Sequence, residues 1–326
     1  MTGRGAISGG LLTAGLVLVI SGCAGQATAS PGDWVLDARP SQSSDSGGGL
    51  FPLALAANGD GGIWGRSGQT WVHVNEVGDI DARLNYDPLP SPWETRSFDV
   101  IQGDDLIVTS TWANGDIMGD LLRISLDTGS STTILHEENA MGGVAIDGES
   151  IAYVSYDADS TQFSVKRMDP GSSSGIGLAT FAGNGAEASL DVGPTHEIYV
   201  ATPTERAVIS PDGSIASTPQ TSATPLVSVN DTGQAVWVTD KEESDVPYVI
   251  LNASDAQRSV IDEHSTCGQS SLLLTTNKAI DQGTVLPFLC EPFGIAWSSN
   301  SAFTVSIGDE GNAALVRASL PSPPAN

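Results

Sequence analysis

Units of one turn and one strand recur along this chain with a period in the low forties. In each unit a turn precedes an aliphatic or aromatic strand, as in VIQGDDLIVTS, AIDGESIAYVS and SVNDTGQAVWVT. The anchoring turn residues are spaced by 44, 45, 45, 40 and 44 positions and are Gly59, Gly103, Gly148, Gly193, Gly233 and Asn277. Asparagine tolerates the left-handed turn conformation nearly as well as glycine. Such a period indicates a repeat architecture.

A second unit, a strand closed by a tight turn, recurs out of phase with the first. Its copies are LLRISLDTG, FSVKRMDPG, RAVISPDG and YVILNAS. Their turns are spaced by 42, 42 and 41 positions and end at Gly129, Gly171, Gly213 and Ser254. Two markers with one period indicate two hairpins, and therefore four strands, in each repeat.

This organisation predicts an all-β fold, a β-propeller of six four-stranded blades over residues 50–320. Each blade buries its faces only against its neighbours, so the blades must close into a ring. Residues 277–320 are expected to complete the sixth blade, and the lone strand at residues 33–38 to close the ring by pairing with it. Seven blades are the alternative, because the last part of the repeat region is irregular. A β-sandwich also has a turn about every 8 to 12 residues, but it does not predict a period in the forties.

Two turn motifs resemble those of TolB-like propellers. ISPDGSIAST (209–218) and SVNDTGQAVWVT (228–239) are similar to the S-P-D-G-x-x-I-A repeats of that family, and ANGDGGIWG resembles the D-G-x-x-W turns of other extracytoplasmic propellers. The resemblance covers most of residues 50–320 in architecture, and only SPDG matches closely. It implies the fold alone, because propellers carry many different functions.

The N-terminal segment resembles the signal peptide of bacterial lipoproteins. Arg4 precedes an apolar stretch over residues 6–20, which is shorter than the roughly 20 residues of a spanning helix. The motif ISGC resembles a lipobox, which implies cleavage before Cys23 and attachment of a diacylglycerol to its thiol. The protein would then be exported and anchored to the outer face of the bacterial cell membrane. An ordinary signal peptide cut after Ala27 or Ala29 is the alternative.

Domain boundaries follow from these assignments. Residues 1–22 form the lipoprotein signal peptide, residues 23–49 the lipidated cysteine and a flexible Ser/Gly-rich tether, residues 50–320 the propeller and residues 321–326 a C-terminal tail.

Two further cysteines, Cys267 and Cys290, remain if Cys23 is lipidated. In an exported protein such a pair predicts a disulfide, and its loop of about 20 residues is worth roughly 3 kcal/mol in the chain-entropy model. A zinc site formed by Cys267 with Glu263 and His264 has a tolerable spacing but lacks a second close pair of ligands.

The formal net charge of −26 restricts the partners. Nucleic acid binding needs a cationic surface, as does contact with anionic lipid headgroups, so this charge argues against both. A strongly acidic surface keeps an exported protein soluble. The more specific alternative is that the acidic groups bind a cationic partner or Ca²⁺.

The candidate ligand-facing residues lie in the second repeat. Its acidic turns contain Asp104, Asp105, Asp116 and Asp120 and could meet at one rim, where Trp112 and Trp93 in nearby loops would form an aromatic platform for a sugar or peptide. The alternative is that the aspartates cap turns and the tryptophans pack between blades. Trp64 and Trp237 occupy equivalent strand positions and are expected in the core.

Catalytic motifs are weak in this sequence. The histidines fit no metal-binding pattern: His136 is expected in a solvated acidic loop and His196 in a surface turn. Residues 171–175, GSSSG, match G-x-S-x-G, but that motif needs a preceding strand and a following helix, and here it follows Asp169-Pro170 in a hairpin turn. No catalytic residue, metal ligand or cofactor is therefore assigned, with Ca²⁺ at the acidic loops as the alternative.

The function predicted from the sequence is a non-catalytic binding or scaffold module at the cell envelope, with an envelope protein, peptide or glycan as its partner. The first alternative is an envelope hydrolase or lyase, which would need a compact His/Asp/Glu cluster at the mouth of the channel. The second is a propeller that binds divalent cations.

Overall fold

A computed structural model of the protein describes residues 34–37, 55–57, 61–67, 70–85, 94–101, 104–114, 116–183, 188–240, 270–276, 280, 283–288, 292–309 and 312–319. Across these residues 24 strands form six four-stranded antiparallel sheets, and there is no helix among them. The prediction of an all-β propeller with six blades is confirmed, and the alternative of seven blades is wrong.

The strands are numbered β1 to β24 in chain order, and β1 is Trp34–Asp37. Blade 1 contains β2 (Leu55–Ala57), β3 (Ile63–Ser67), β4 (Thr70–Val74) and β5 (Ile80–Asn85). Blade 2 contains β6 (Glu94–Ile101), β7 (Asp105–Asn114), β8 (Asp116–Ser125) and β9 (Ser131–Glu137). Blade 3 contains β10 (Ala140–Asp147), β11 (Ser150–Asp157), β12 (Gln162–Met168) and β13 (Ile176–Ala182).

The other three blades follow the same meander. Blade 4 contains β14 (Ser189–Val192), β15 (Ile198–Ala201), β16 (Glu205–Ile209) and β17 (Ile215–Pro219). Blade 5 contains β18 (Val227–Val229), β19 (Ala235–Asp240), β20 (Ser270–Thr275) and β21 (Gly283–Phe288). Blade 6 contains β22 (Pro292–Ser299), β23 (Ala302–Asp309) and β24 (Asn312–Ser319), and β1 is its fourth strand.

Apolar residues run continuously along the inner strands and give way to polar residues outward. In β10 and β11 almost every side chain is buried, because a neighbouring blade covers each face of the sheet. The outermost strand β17, with the sequence IASTP, is exposed along nearly its whole length. This gradient follows from a radial sheet whose fourth strand forms the rim.

The first strands of the blades form a closed inner ring. Each first strand contacts the first strand of the next blade, in the order β2, β6, β10, β14, β18 and β22. The ring closes where β22 contacts β2. Apolar clusters fill the six interfaces between blades. Trp237, fully buried, packs against Tyr199 of the preceding blade with ring centroids 5.9 Å apart, and Trp64 is 7% exposed, so both tryptophans lie in the core as expected.

Blade 6 is built from both ends of the repeat region. Its outermost strand β1 pairs antiparallel with β24, with Trp34 opposite Arg317 and Asp37 opposite Ala314. The strand that the sequence places at residues 33–38 therefore completes the last sheet and joins the N-terminal part of the chain to the C-terminal strand.

The prediction that the last anchoring turn lies at Asn277 is wrong. Asn277 lies outside the described residues and falls in the sequence between β20 and β21 of blade 5, whereas the first hairpin of blade 6 turns at Asn300, between β22 and β23. The cause is the segment 241–269, which separates β19 from β20 and lengthens this repeat. Ser254, assigned to the second marker, falls in that segment and lies outside the described residues.

The propeller has two unlike ends. The hairpins between first and second strands and between third and fourth strands lie at one end, here called the turn end, where glycines such as Gly129 and Gly213 adopt positive φ. The hairpins between second and third strands and the connections from blade to blade lie at the other, the connection end. Contacts between neighbouring turns, such as Asn230 Nδ2 to the Asn300 carbonyl at 3.4 Å, show that the blades are aligned.

Candidate functional site

The candidate ligand-facing residues of blade 2 divide between the two ends of the propeller. Asp104 and Asp105 lie at the turn end, where β7 begins, and Asp116 lies at the connection end, where β8 begins. The ten residues of β7 separate the two turns by about 30 Å at the usual rise of a strand. These side chains therefore do not meet at one rim as the sequence suggested.

Two of these aspartates have partners inside blade 2. The Asp105 carboxylate lies 3.5 Å from the Arg123 guanidinium on β8. Asp120 is in β8, only 3% exposed, and its Oδ1 lies 2.7 Å from His136 Nδ1 on β9. His136 is thus a strand residue and not part of a solvated loop, while Asp104 is an exposed turn residue.

Trp112 is also a strand residue and not a loop residue. It lies in β7 opposite Met118 of β8. The other members of the predicted sites lie outside the described residues and are Trp93, Cys23, Cys267, Cys290, Glu263 and His264.

The hairpin of β7 and β8 extends beyond the rest of its blade. The pairing of β6 with β7 stops at Thr111, and the pairing of β9 with β8 stops at Gly119. Beyond these points residues 112–114 and 116–118 pair only with one another among the described residues, as Trp112↔Met118, Ala113↔Ile117 and Asn114↔Asp116. We call residues 112–114 and 116–118 the hairpin tip; it projects about 10 Å past the four-stranded part of blade 2.

The base of the hairpin tip packs against the start of β10 and against Asn139, which precedes that strand. The Thr111 hydroxyl donates to the Met141 carbonyl at 3.1 Å and accepts from the Met141 N–H at 3.0 Å. Gly119 has no room for a side chain, since a Cβ there would lie 2.4 Å from the Asn139 carbonyl oxygen. The tip therefore projects from a packed base.

The hairpin tip carries one large apolar side chain that is exposed, Ile117, at 43%. At the base of the tip, Gly119 is paired with Glu137, and the exposed Glu138 follows it. A single exposed isoleucine is ordinary on a protein surface, but on a projecting hairpin it is positioned for contact with another molecule. The signal in the sequence is Asn114-Gly115 between two long strands, a typical hairpin turn.

A partly buried polar cluster joins blades 2 and 3. Glu137, the last residue of β9, accepts hydrogen bonds from the Tyr153 hydroxyl at 2.6 Å, the Ser155 hydroxyl at 2.8 Å and the Lys166 ammonium at 2.8 Å. Burial raises the pKa of Glu137, but the bonds from Lys166, Tyr153 and Ser155 outweigh it and hold the pKa below its ordinary value.

Tyr153 is kept protonated in this cluster. Burial, reinforced by the bond to Glu137, raises the pKa of its phenol far above the ordinary value. The Glu137 carboxylate and the Tyr153 phenol bond to each other, and the carboxylate also bonds to Ser155 and Lys166 of blade 3. The cluster therefore serves to join the blades.

A second carboxylate joins the inner strands of blades 4 and 5. Asp191 on β14 accepts from the backbone N–H of Val229 at 2.7 Å and the Ser228 hydroxyl at 3.1 Å, both on β18, and from the N–H of Val192 at 2.8 Å. Burial is the larger effect and raises the pKa of Asp191 to about 6.

His196 links blades 3 and 4 at the turn end. Its Nδ1 lies 2.5 Å from Asp147 Oδ1 of the neighbouring blade. It has a φ of 66°, where the matching turn of blade 5 has Gly233 with a φ of 80°. A left-handed non-glycine residue costs about 1 to 2 kcal/mol, and the contact with Asp147 compensates for part of that cost. The expectation of a surface turn residue holds.

The described residues contain no group of three or more histidine, cysteine, aspartate or glutamate side chains placed to hold a metal ion. In the same part of the chain, no helix has the length and apolar character needed to cross a bilayer.

Several solved structures share this fold at low sequence identity. A structural genomics protein from Bacteroides thetaiotaomicron is 12% identical with a TM-score of 0.53, over 87% of this chain and 72% of its own. A protein assigned as TolB from Agrobacterium tumefaciens is 13% identical with a TM-score of 0.51, over 84% of this chain and 91% of its own. A DUF4623 family protein from Bacteroides eggerthii is 9% identical with a TM-score of 0.50, over 83% and 71%.

No protein-family model and no curated protein matches the sequence. At such low identity the likeness to solved structures concerns the fold alone. The chain is a six-bladed β-propeller with a TolB among its structural neighbours.

Proposed function

We propose that this protein is a membrane-anchored binding module of the bacterial cell envelope, whose propeller presents the hairpin tip to a protein partner. The observation that carries the proposal is the extension of β7 and β8 by three residue pairs beyond their blade. In blades 3 and 4 the corresponding hairpins are built from shorter strands, of 8 and 7 and of 4 and 5 residues. The extension is therefore not needed to build a blade.

The polar chemistry of the described residues supports binding in preference to catalysis. Asp120 is buried and Glu137 and Asp191 are half-buried, and each of these carboxylates hydrogen-bonds to groups of the fold itself. A hydrolase or lyase would need at least one such group directed toward a substrate.

The anchor rests on the sequence motif ISGC at residues 20–23. A thioether-linked diacylglycerol supplies two acyl chains, which hold a protein stably at a bilayer where one chain does not. Replacing Cys23 with Ser should move the protein from the membrane fraction to the soluble fraction. If C23S still sediments with membranes after a salt wash, the anchor is not at Cys23.

The binding function is tested by crosslinking in intact cells followed by affinity capture. The tagged wild type is compared with Ile117→Asp at the hairpin tip and with Ile176→Asp, which alters an equally apolar residue that is 57% exposed on β13. We expect one stoichiometric envelope protein with the wild type and I176D, and its loss with I117D. Equal recovery with both variants would exclude the hairpin tip as the contact, and no recovery with any form would favour the hydrolase or lyase alternative.

A further inference from the structure

The direction of β1 fixes the end of the propeller at which the N-terminal chain enters. Strand β24 begins at Asn312, next to the hairpin from β23 at the connection end, and runs to Ser319 at the turn end. Because β1 is antiparallel to β24, Trp34 opposite Arg317 is its turn-end residue and Asp37 its connection-end residue. The N-terminal end of β1 therefore lies at the turn end of the propeller.

The span between the anchor and the propeller is short. Trp34 follows Cys23 by 11 positions, so a fully extended chain reaches at most about 38 Å. The composition of this segment predicts a linker with a root-mean-square span of about 18 Å. These lengths are comparable with the height of the propeller itself, so the point of attachment biases its orientation.

We infer that the turn end of the propeller faces the membrane and that the connection end, with the hairpin tip, faces away from it. The inference rests on the proposed anchor at Cys23.

The opposite orientation is the less accessible one. Trp34 is paired with Arg317, five residues along β24 from the connection end, a distance of about 17 Å. With the hairpin tip adding about 10 Å, Trp34 would stand about 27 Å above a membrane that touched the connection end. That height exceeds the root-mean-square span of the linker, whereas no stretching is needed when the turn end faces the membrane.

The hairpin tip favours the same orientation. An orientation with the connection end against the bilayer would place the tip, which extends β7 and β8 beyond their blade, between the propeller and the headgroups. The outward orientation leaves the tip accessible to a partner, as the proposed binding function requires.

The experiment measures energy transfer from one fluorophore on the lipidated full-length protein to an acceptor dissolved in phosphatidylcholine vesicles. The fluorophore is placed, through a genetically encoded amino acid, at Glu149 or at Asp159. Both are exposed residues of blade 3, the first in the hairpin at the turn end and the second at the connection end. A second pair in blade 2, Asp127 and Ile117, repeats the comparison.

We expect higher transfer from position 149 than from 159, and from 127 than from 117. Equal transfer within each pair would overturn the inference, because a propeller that tumbles or lies on its side brings both ends equally close to the membrane. Higher transfer from positions 159 and 117 would show the opposite orientation. Flotation of the labelled protein with the vesicles is scored in the same samples. Failure to float overturns the anchor and the orientation together, whereas flotation with equal transfer overturns the orientation alone.

Discussion

Glu137 of blade 2 accepts three hydrogen bonds from side chains of blade 3. Replacing it with glutamine removes the charge that the Lys166 ammonium faces and weakens the bonds from Tyr153 and Ser155. We expect E137Q to lower the free energy of unfolding by about 2 to 3 kcal/mol, measured by urea denaturation at pH 7. The control is Glu138→Gln, which changes the exposed neighbour and should leave stability within about 0.5 kcal/mol.

The effect of Glu137 should also depend on pH in one direction. Its pKa is lowered in the folded protein, so its contribution is present above the ordinary glutamate value and is lost as the pH falls through the folded value. The difference in stability between the wild type and E137Q should therefore shrink from pH 6 to pH 3. A constant difference over that interval would show that the carboxylate charge is not what stabilises the interface.

Asp191 should show the opposite dependence. Its pKa is raised to about 6 in the folded protein, so folding favours the protonated form; the contribution is full below about pH 4 and lost as the pH rises through 6. Relative to Asp191→Asn, the wild type should lose about 2 kcal/mol of stability between pH 4 and pH 7. Parallel stability curves for the two proteins would refute this assignment.

Contacts between individual side chains are the part of this structure that the sequence predicts least well. The aspartates of blade 2 were grouped because they are close in sequence, but the ten residues of β7 place Asp105 and Asp116 at opposite ends. His136 sits beside acidic residues in the sequence, yet it is a strand residue whose partner, Asp120, lies 16 positions earlier. Such pairings follow from strand register, which composition and spacing do not define.

At the scale of elements, the hairpin of β7 and β8 depends on Gly119 at the base of its tip. Gly119→Ala would bring a Cβ within 2.4 Å of the Asn139 carbonyl oxygen and 2.6 Å of Met141 Cγ. We expect a loss of about 2 kcal/mol in the free energy of unfolding, since such crowding displaces backbone. The control is Gly177→Ala on β13, where no atom lies within 4 Å of the new Cβ. If both variants have the same free energy of unfolding, the contact of Gly119 with Asn139 and Met141 is not tightly packed.

The predicted disulfide between Cys267 and Cys290 would connect the segments next to β20 and β21. Ser270 begins β20 and is paired with Phe288 at the end of β21; Cys267 precedes the first by three positions and Cys290 follows the second by two. The cysteines thus flank a pair of adjacent chain ends, and a disulfide needs Cα atoms about 4.4 to 6.8 Å apart. Peptide mapping without reduction should give a Cys267–Cys290 linked peptide, and reduction should lower stability by roughly 3 kcal/mol. Two free thiols in the native protein would refute it.

Elements were predicted well where the repeat is regular. The turns at Gly148, Gly193 and Gly233 and those at Gly129, Gly171 and Gly213 fall between the strands that the two markers assigned to them. The prediction was wrong after Gly233, because residues 241–269 interrupt blade 5 and a fixed period cannot reveal an insertion. Asn277 matches the spacing by coincidence, because it falls in the sequence between β20 and β21 of blade 5 and not in the first hairpin of blade 6.

For the whole molecule, the period alone determined the architecture, because a four-stranded unit that cannot bury its faces must stack on its neighbours. The six blades bury these faces at six apolar interfaces, and β1 closes the ring by pairing with β24. Function does not follow in the same way. The hairpin tip is a departure from the repeat, and only the register of β6, β8 and β9 shows that it projects.

The most direct test of this account is photocrosslinking in intact cells from single positions at the two ends of the propeller. A photoreactive amino acid at Ile117, on the hairpin tip, is compared with the same group at Asp127, an exposed turn residue of the same blade at the turn end. The account predicts a discrete adduct with one envelope protein from position 117 and none from 127. An adduct from 127 alone, or none from 117 while the protein is membrane-bound, would contradict the claim that the connection end is the binding surface.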